Sequence, residues 1–377
     1  MPRPGRAGLP SQGEDRGDTS AGLRLPGNRT LNASRALVTG GSGFIGGHLV
    51  DRLLKDGWDV TVFDGTPPGG AGAPEREHVR HVIGDVRDAG QLETAAKGAD
   101  VVFHLAGVVG VDQYLARPLD VIDVNVSGTR NALSAAARVG ARVIVASTSE
   151  VFGKNPSVPW REDSDRVLGP TTADRWVYSS SKALCEHLTF AFVRQHGLQA
   201  TVVRYFNAYG PWQRPAFVVS RNVHRALNGR PLVVYDQGEQ TRCFTYVDDA
   251  VEGTVRAALS PRAVGEAFNI GSMTETPVRE VVELIATLTG STTVVTPVDT
   301  ARALGPAYQD LRRRIPDATR LWELLGWRCG TTLRDGLTRT IEWARTHPQW
   351  LAIPDSGADG QAQSAPASVR QSDGPRP

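Results

Sequence analysis

The hydrophobic pattern changes period along the chain. In Ala36-Leu-Val-Thr39, Leu37 and Val38 are consecutive and apolar, as in a strand covered on both faces. A glycine turn and a helix start follow, and then a second apolar run over 59–64. Further strand-like runs at 79–85, 100–107 and 141–147 alternate with helix-like stretches at 89–97 and 119–139. Alternation of this kind calls for a parallel sheet with helices on both faces and a ligand edge where the strands end. The second half is less regular. It predicts a helix over 178–195 with Leu184, Leu188 and Phe192 on one stripe, and a strand over 200–206. Helices at 222–228, 247–258 and 278–288 and short strands at 232–235 and 267–270 follow, expected to form a smaller lobe over the strand ends.

Residues 1–34 and the stretch after about 350 are rich in small and polar residues, and both are expected to be disordered tails. The remainder divides into 35–205, mainly the parallel-sheet domain, and 206–350, mainly the lobe, with some strands returning to the sheet. Composition adds little: of 377 residues 40% are hydrophobic and 22% charged, as in ordinary globular enzymes. A formal net charge of +2 gives no reason to expect nucleic acid or a membrane surface as partner. Cys185, Cys243 and Cys329 suit neither a disulfide framework nor a C-x-x-C metal site, so a cytoplasmic setting is expected.

Chemistry enters with Gly41-Ser-Gly-Phe-Ile-Gly46, a G-x-G-x-x-G turn between strand and helix. Glycines let backbone N–H groups approach a pyrophosphate, and the helix start adds its dipole. Asp64 closes the next strand, where a carboxylate accepts from ribose hydroxyls and repels a 2′-phosphate, favouring NAD over NADP. The expected fold is therefore α/β, a Rossmann-type doubly wound parallel sheet with a smaller α/β substrate-binding lobe. Tyr178 and Lys182 stand four apart, on one face of a helix. Alone this spacing also fits a surface pair. Beside a dinucleotide turn, the ammonium and a nicotinamide cation would lower the phenol's pKa and make Tyr178 a general base, with Thr148 sharing the substrate's hydrogen bond.

These motifs resemble the extended short-chain dehydrogenase/reductase family, in its nucleotide-sugar epimerase, dehydratase and decarboxylase branch. The likeness runs from about Arg35 to Trp343 and includes Gly84-Asp-Val86, Asn125-Val-Ser-Gly-Thr129, Arg204-Tyr-Phe-Asn207 and Gln240-Thr-Arg242. The resemblance implies NAD held by Gly40, Gly43, Phe44, Ile45, Gly46, Asp64, Asp85, Val86, Leu105 and Ala106, together with Tyr178 and Lys182. It implies a UDP-sugar held by Asn207, Tyr235 and Arg242. Thr148-Ser149-Glu150 resembles the UDP-glucuronate decarboxylases and lacks the Asp-Glu pair of 4,6-dehydratases. Arg175-Trp-Val-Tyr178 and the stretch 308–317 resemble bacterial decarboxylases of lipid A modification, which implies a site role for Arg314, on the substrate carboxylate or the C5 carbanion. The resemblance thus implies an NAD-dependent UDP-glucuronate decarboxylase with Tyr178, Lys182, Thr148, Ser149, Glu150 and Arg314 catalytic and no metal. A UDP-sugar 4-epimerase is the alternative, and a non-catalytic NAD-binding scaffold a third. The loop 107–113 looks more like that of 4-epimerases, and the stretch 212–217 is shorter than in most relatives, where it should border the sugar. Family habit implies a homodimer through the helices at 119–139 and 178–195. Ala132, Ala135, Ala136 and Phe190 could serve that surface or the monomer core.

Overall fold

A computed structural model describes residues 34–68, 76–304 and 311–355. The expected tails lie outside the described residues, except Ser34 and residues 351–355; so do residues 69–75 of the Pro/Gly loop and residues 308–310 of the stretch 308–317.

The apolar runs become strands because both faces are covered. They are β1 (Arg35–Thr39), β2 (Asp59–Asp64), β3 (Arg80–Ile83), β4 (Val101–His104), β5 (Arg142–Thr148) and β6 (Ala200–Tyr205). Next come β7 (Ala208–Tyr209), β8 (Leu232–Tyr235), β9 (Thr241–Cys243), β10 (Thr245–Tyr246) and β11 (Ala267–Ile270). The last are β12 (Glu275–Pro277), β13 (Val295–Val298) and β14 (Arg313–Arg314). Seven of these form one parallel sheet in the order β11-β6-β5-β4-β1-β2-β3. Every residue of β4, β5, β6 and β11 is buried.

The helices are α1 (Phe44–Lys55), α2 (Ala89–Ala96), α3 (Val111–Ala116), α4 (Pro118–Val139), α5 (Val177–His196) and α6 (Val218–Leu227). They continue with α7 (Val247–Leu259), α8 (Val278–Thr289), α9 (Thr300–Leu304), α10 (Thr319–Leu325), α11 (Leu333–Arg345) and α12 (Pro348–Leu351). The two-residue period of the strands divides the core between the faces. Ala36, Val38, Phe103 and Ile144 pack with α1 and α7 through Leu49, Leu53, Val247 and Val251. Leu37, Val102, Val143 and Val145 pack with α2 and α4 through Leu92, Ala132 and Leu133.

Of the alternatives left open for the alanines of α4 the core applies, and two expectations change, on the α5 stripe and on where the fold ends. Ala132, Ala135 and Ala136 belong to the core, and Leu184 is 47% exposed although Leu188 and Phe192 of its stripe pack inward. The fold also continues past residue 350, because Trp350 is buried and the nearly buried Asp355 carboxylate pairs with Arg225 on α6. No helix among the described residues is long and apolar enough to cross a membrane. The second half adds three small sheets, β12-β9-β14, β13-β8 and β10-β7, and sends β11 back to the edge of the main sheet.

Candidate active site

The glycine turn packs as tightly as its sequence requires. Gly40 has φ +74°, and a Cβ there would stand 2.6 Å from the backbone nitrogen of Ala106. A Cβ on Gly46 would stand 2.1 Å from the Gly40 carbonyl oxygen, so this glycine lets α1 seat against the turn. Gly46→Ala is expected to push α1 outward, costing about 1–3 kcal/mol. Thermal unfolding with and without NAD checks this: the midpoint should fall, and NAD should raise it less than in the unaltered protein. No side chain caps the N-terminus of α1, and its first turn carries no acidic residue. Its first-turn N–H groups therefore suit an anion.

Beside this turn lies a cavity of about 600 Å³ at the carboxyl edge of the sheet. Gly40, Gly43, Asp64, Asp85, Val86, Leu105 and Ala106 line it. Phe44, Ile45 and Gly46 are not among its lining side chains; they enter through α1. The Asp64 carboxylate accepts from the N–H groups of Ser42 at 3.0 Å and Thr66 at 2.9 Å, which fixes it at the cavity wall. Each of its oxygens keeps a lone pair for a ribose hydroxyl. These features fit a dinucleotide.

Ser42, Thr66, Gly107, Val108 and Arg214 also line the cavity and were not singled out from sequence. Arg214 belongs to the short stretch expected to border the sugar. Instead, Trp212 adopts φ +65° and stacks on His48 of α1 at 4.3 Å, while His48 donates to the Pro211 carbonyl at 3.0 Å. These contacts lay the start of the stretch on α1.

The sequence places the reactive side chains on elements that converge beyond Gly107. Tyr178 and Lys182 lie in the first turns of α5, and both are buried. A Cβ on Gly107 would be 3.8 Å from the Lys182 Nζ, which sets the ammonium at the end of the cavity. Asn125 of α4 receives the Val108 N–H at 3.0 Å and donates to Ser181 at 3.0 Å, tying cavity wall to catalytic helix. Thr148, at the end of β5, stands close enough to Tyr178 to favour its phenolate. Among the protein's own groups, burial pushes the Tyr178 phenol up, the Glu150 anion pushes the same way, and Thr148 opposes them. Burial also lowers Lys182. The spacing of this pair is readable in the chain, its desolvation only in the fold.

Glu150 stands between two arginines. Arg175 Nη1 donates to one carboxylate oxygen at 2.6 Å and Arg314 Nη2 to the other at 3.1 Å. Burial raises the Glu150 pKa, but Arg314 and Arg175 outweigh it and hold the group at about 2. Ser149 is buried beside it. Arg314 arrives on β14, registered opposite Arg242 on β9. Its Nε has no hydrogen-bond partner among the described residues. Arg242 donates to the carbonyls of Thr241 at 2.8 Å and Leu311 at 2.7 Å. Asn207, at φ +38°, donates to the Cys243 carbonyl at 3.1 Å, and Tyr235 accepts from Arg221 at 3.2 Å. Phe152 packs between Trp160 and Phe206, so its ring serves the core.

A dinucleotide cavity at the carboxyl edge, with a buried tyrosine–lysine pair at its end, places the chain among Rossmann-type dinucleotide proteins. The chain belongs to the NAD dependent epimerase/dehydratase family, whose profile matches residues 36–271. It is 40% identical over 316 residues to UDP-N-acetyl-alpha-D-glucosaminuronate decarboxylase of Bacillus cytotoxicus, covering 82% of this chain and 98% of that one. It is 36% identical over 317 residues to UDP-glucuronic acid decarboxylase 1 of Xenopus tropicalis, covering 82% of this chain and 72% of that one. Among solved structures, MoeE5 in complex with UDP-glucuronic acid and NAD superposes with a TM-score of 0.73 at 33% identity, over 83% of this chain and 99% of that one.

Proposed function

We propose that the protein is an NAD-dependent decarboxylase of a UDP-linked uronic acid, with UDP-glucuronate favoured and UDP-xylose or its 4-keto form as product. The observation that carries this reading is the Arg175–Glu150–Arg314 assembly close to Tyr178. Two guanidinium groups face one carboxylate, so the assembly keeps an excess positive charge suited to a sugar acid. The names of the relatives above point the same way.

Bound NAD⁺ would supply the hydride acceptor for C4 and a positive charge beside the phenol. Tyr178 takes the proton of the sugar 4-hydroxyl, which Thr148 orients, and Lys182 supports the phenolate. The resulting 4-ketone is β to the C5 carboxylate, so carbon dioxide leaves as the electrons enter the ketone. Arg314 holds the carboxylate before it leaves, or protonates the C5 carbanion through water. Glu150, with Ser149, orients Arg314. Asn207 and Arg242 hold the diphosphate, and Tyr235 lies at the base. The second half of the chain, 206–350, acts mainly as the substrate-binding lobe.

The 40% identity to an N-acetylated uronate decarboxylase makes UDP-N-acetylglucosaminuronate the second substrate to test. Carbon dioxide evolved with NAD from either uronate supports decarboxylation, and the ratio of kcat/KM names the substrate. None from either overturns the reading. Two copies are proposed to associate through α4 and α5, where Leu119, Ile122 and Leu184 are exposed; sedimentation tests this. A cytoplasmic setting suits the three free thiols, Cys185, Cys243 and Cys329.

A further inference from the structure

The two arginines on Glu150 are held differently. Arg175 lies on a one-turn 3-10 helix immediately before α5 and is 2% exposed. Its guanidinium sits 4.9 Å from the centre of the Trp176 ring and 5.8 Å from that of Tyr114, a residue of α3 that packs with Tyr178. It is clamped between aromatic rings on the turn that leads into α5. Arg314 comes from the edge of a three-stranded sheet and keeps an Nε–H with no partner among the described residues.

Charge counting separates their roles. If Glu150 met Arg314 alone, the pair would be neutral, and the carboxylate would compete with a substrate anion for the same guanidinium. With Arg175 on the other oxygen, the three groups sum to one positive charge, which is Arg314's to offer. Resting on the decarboxylase reading, we propose that Arg175 is a positioning and specificity residue: by neutralising Glu150 it leaves the charge of Arg314 available to the carboxylate of the substrate. Arg175 itself needs no contact with the sugar. It acts by fixing what Glu150 does to Arg314, and it selects acidic over neutral UDP-sugars.

The test compares binding of UDP-glucuronate and UDP-glucose by calorimetry, with NAD present and in a Tyr178→Phe background so that neither sugar is consumed. Arg175→Met is expected to weaken UDP-glucuronate about thirtyfold, as for loss of one member of a buried charge network, and UDP-glucose less than about threefold. Adding Glu150→Gln removes the charge that Arg175 neutralised and should restore UDP-glucuronate to within about fivefold of the parent. Arg175→Lys keeps the charge and should retain most of the preference, which covers the case of a methionine variant that does not fold. Equal weakening of both sugars by the methionine variant would overturn the proposal. So would absence of rescue by Glu150→Gln, or a lysine variant without preference for the acid. Carbon dioxide release by the protein with Tyr178 intact is measured separately, so failure of the decarboxylase reading is distinguishable from failure of this one.

Discussion

Tyr178→Phe is expected to lower turnover of the UDP-uronate by about a thousandfold, with neither reduced nicotinamide nor carbon dioxide formed at a measurable rate. The phenol is buried, beside Thr148 and one helical turn from Lys182, so its loss removes the group proposed to accept the 4-hydroxyl proton. Burial and the Glu150 anion hold that phenol above its ordinary value. The protein alone therefore keeps it protonated, and base catalysis depends on positive charge gathered in the assembled complex. Phenylalanine preserves the ring that packs with Tyr114 and Val121, so unfolding temperature and UDP affinity should change little. Rapid-mixing absorbance of reduced nicotinamide is the readout. Hydride transfer at an undiminished rate would remove Tyr178 from the reaction.

Arg314→Ala is expected to act later. The substitution leaves the Tyr178–Thr148–Lys182 geometry in place and removes the cation beside the C5 carboxylate. Formation of reduced nicotinamide in a single turnover should slow less than about threefold, and carbon dioxide release by about a hundredfold, the scale of one lost charge-stabilising group. The two steps separate because oxidation develops charge at the C4 oxygen and decarboxylation rearranges it at C5. Equal losses in both would reduce Arg314 to a general binding residue.

The legibility of these features in the sequence differs for physical reasons. Strands β1 to β6 could be read because a buried parallel strand is apolar on both faces, and the glycine turn because tight packing admits no Cβ at Gly40 or Gly46. Tyr178 and Lys182 were readable as a helical spacing. The direction of the tyrosine's pKa was not, because it follows from burial and from an anion 28 positions away in the chain, Glu150. Strands β9, β12 and β14 have three, three and two residues, too few to show a period, so the sheet that delivers Arg314 had no local signal. Arg175 could be seen in its motif, but its partner Glu150 lies across a loop of irregular chain. The stretch 212–217 was expected to border the sugar; within it Trp212 stacks on His48 of α1 and Arg214 lines the dinucleotide cavity, contacts that no local pattern announces. The proposed sugar side therefore rests mainly on Glu150, Arg175 and Arg314.

An internal redox cycle is proposed to drive loss of the carboxyl group. Its most direct test is to incubate the protein and NAD with UDP-glucuronate deuterated at C4 and to weigh the nucleotide-sugar products. The expected product is lighter by one carbon dioxide, with deuterium kept at C4 wherever the hydride has returned. An isomer of unchanged mass, with the carboxyl group intact, would contradict it.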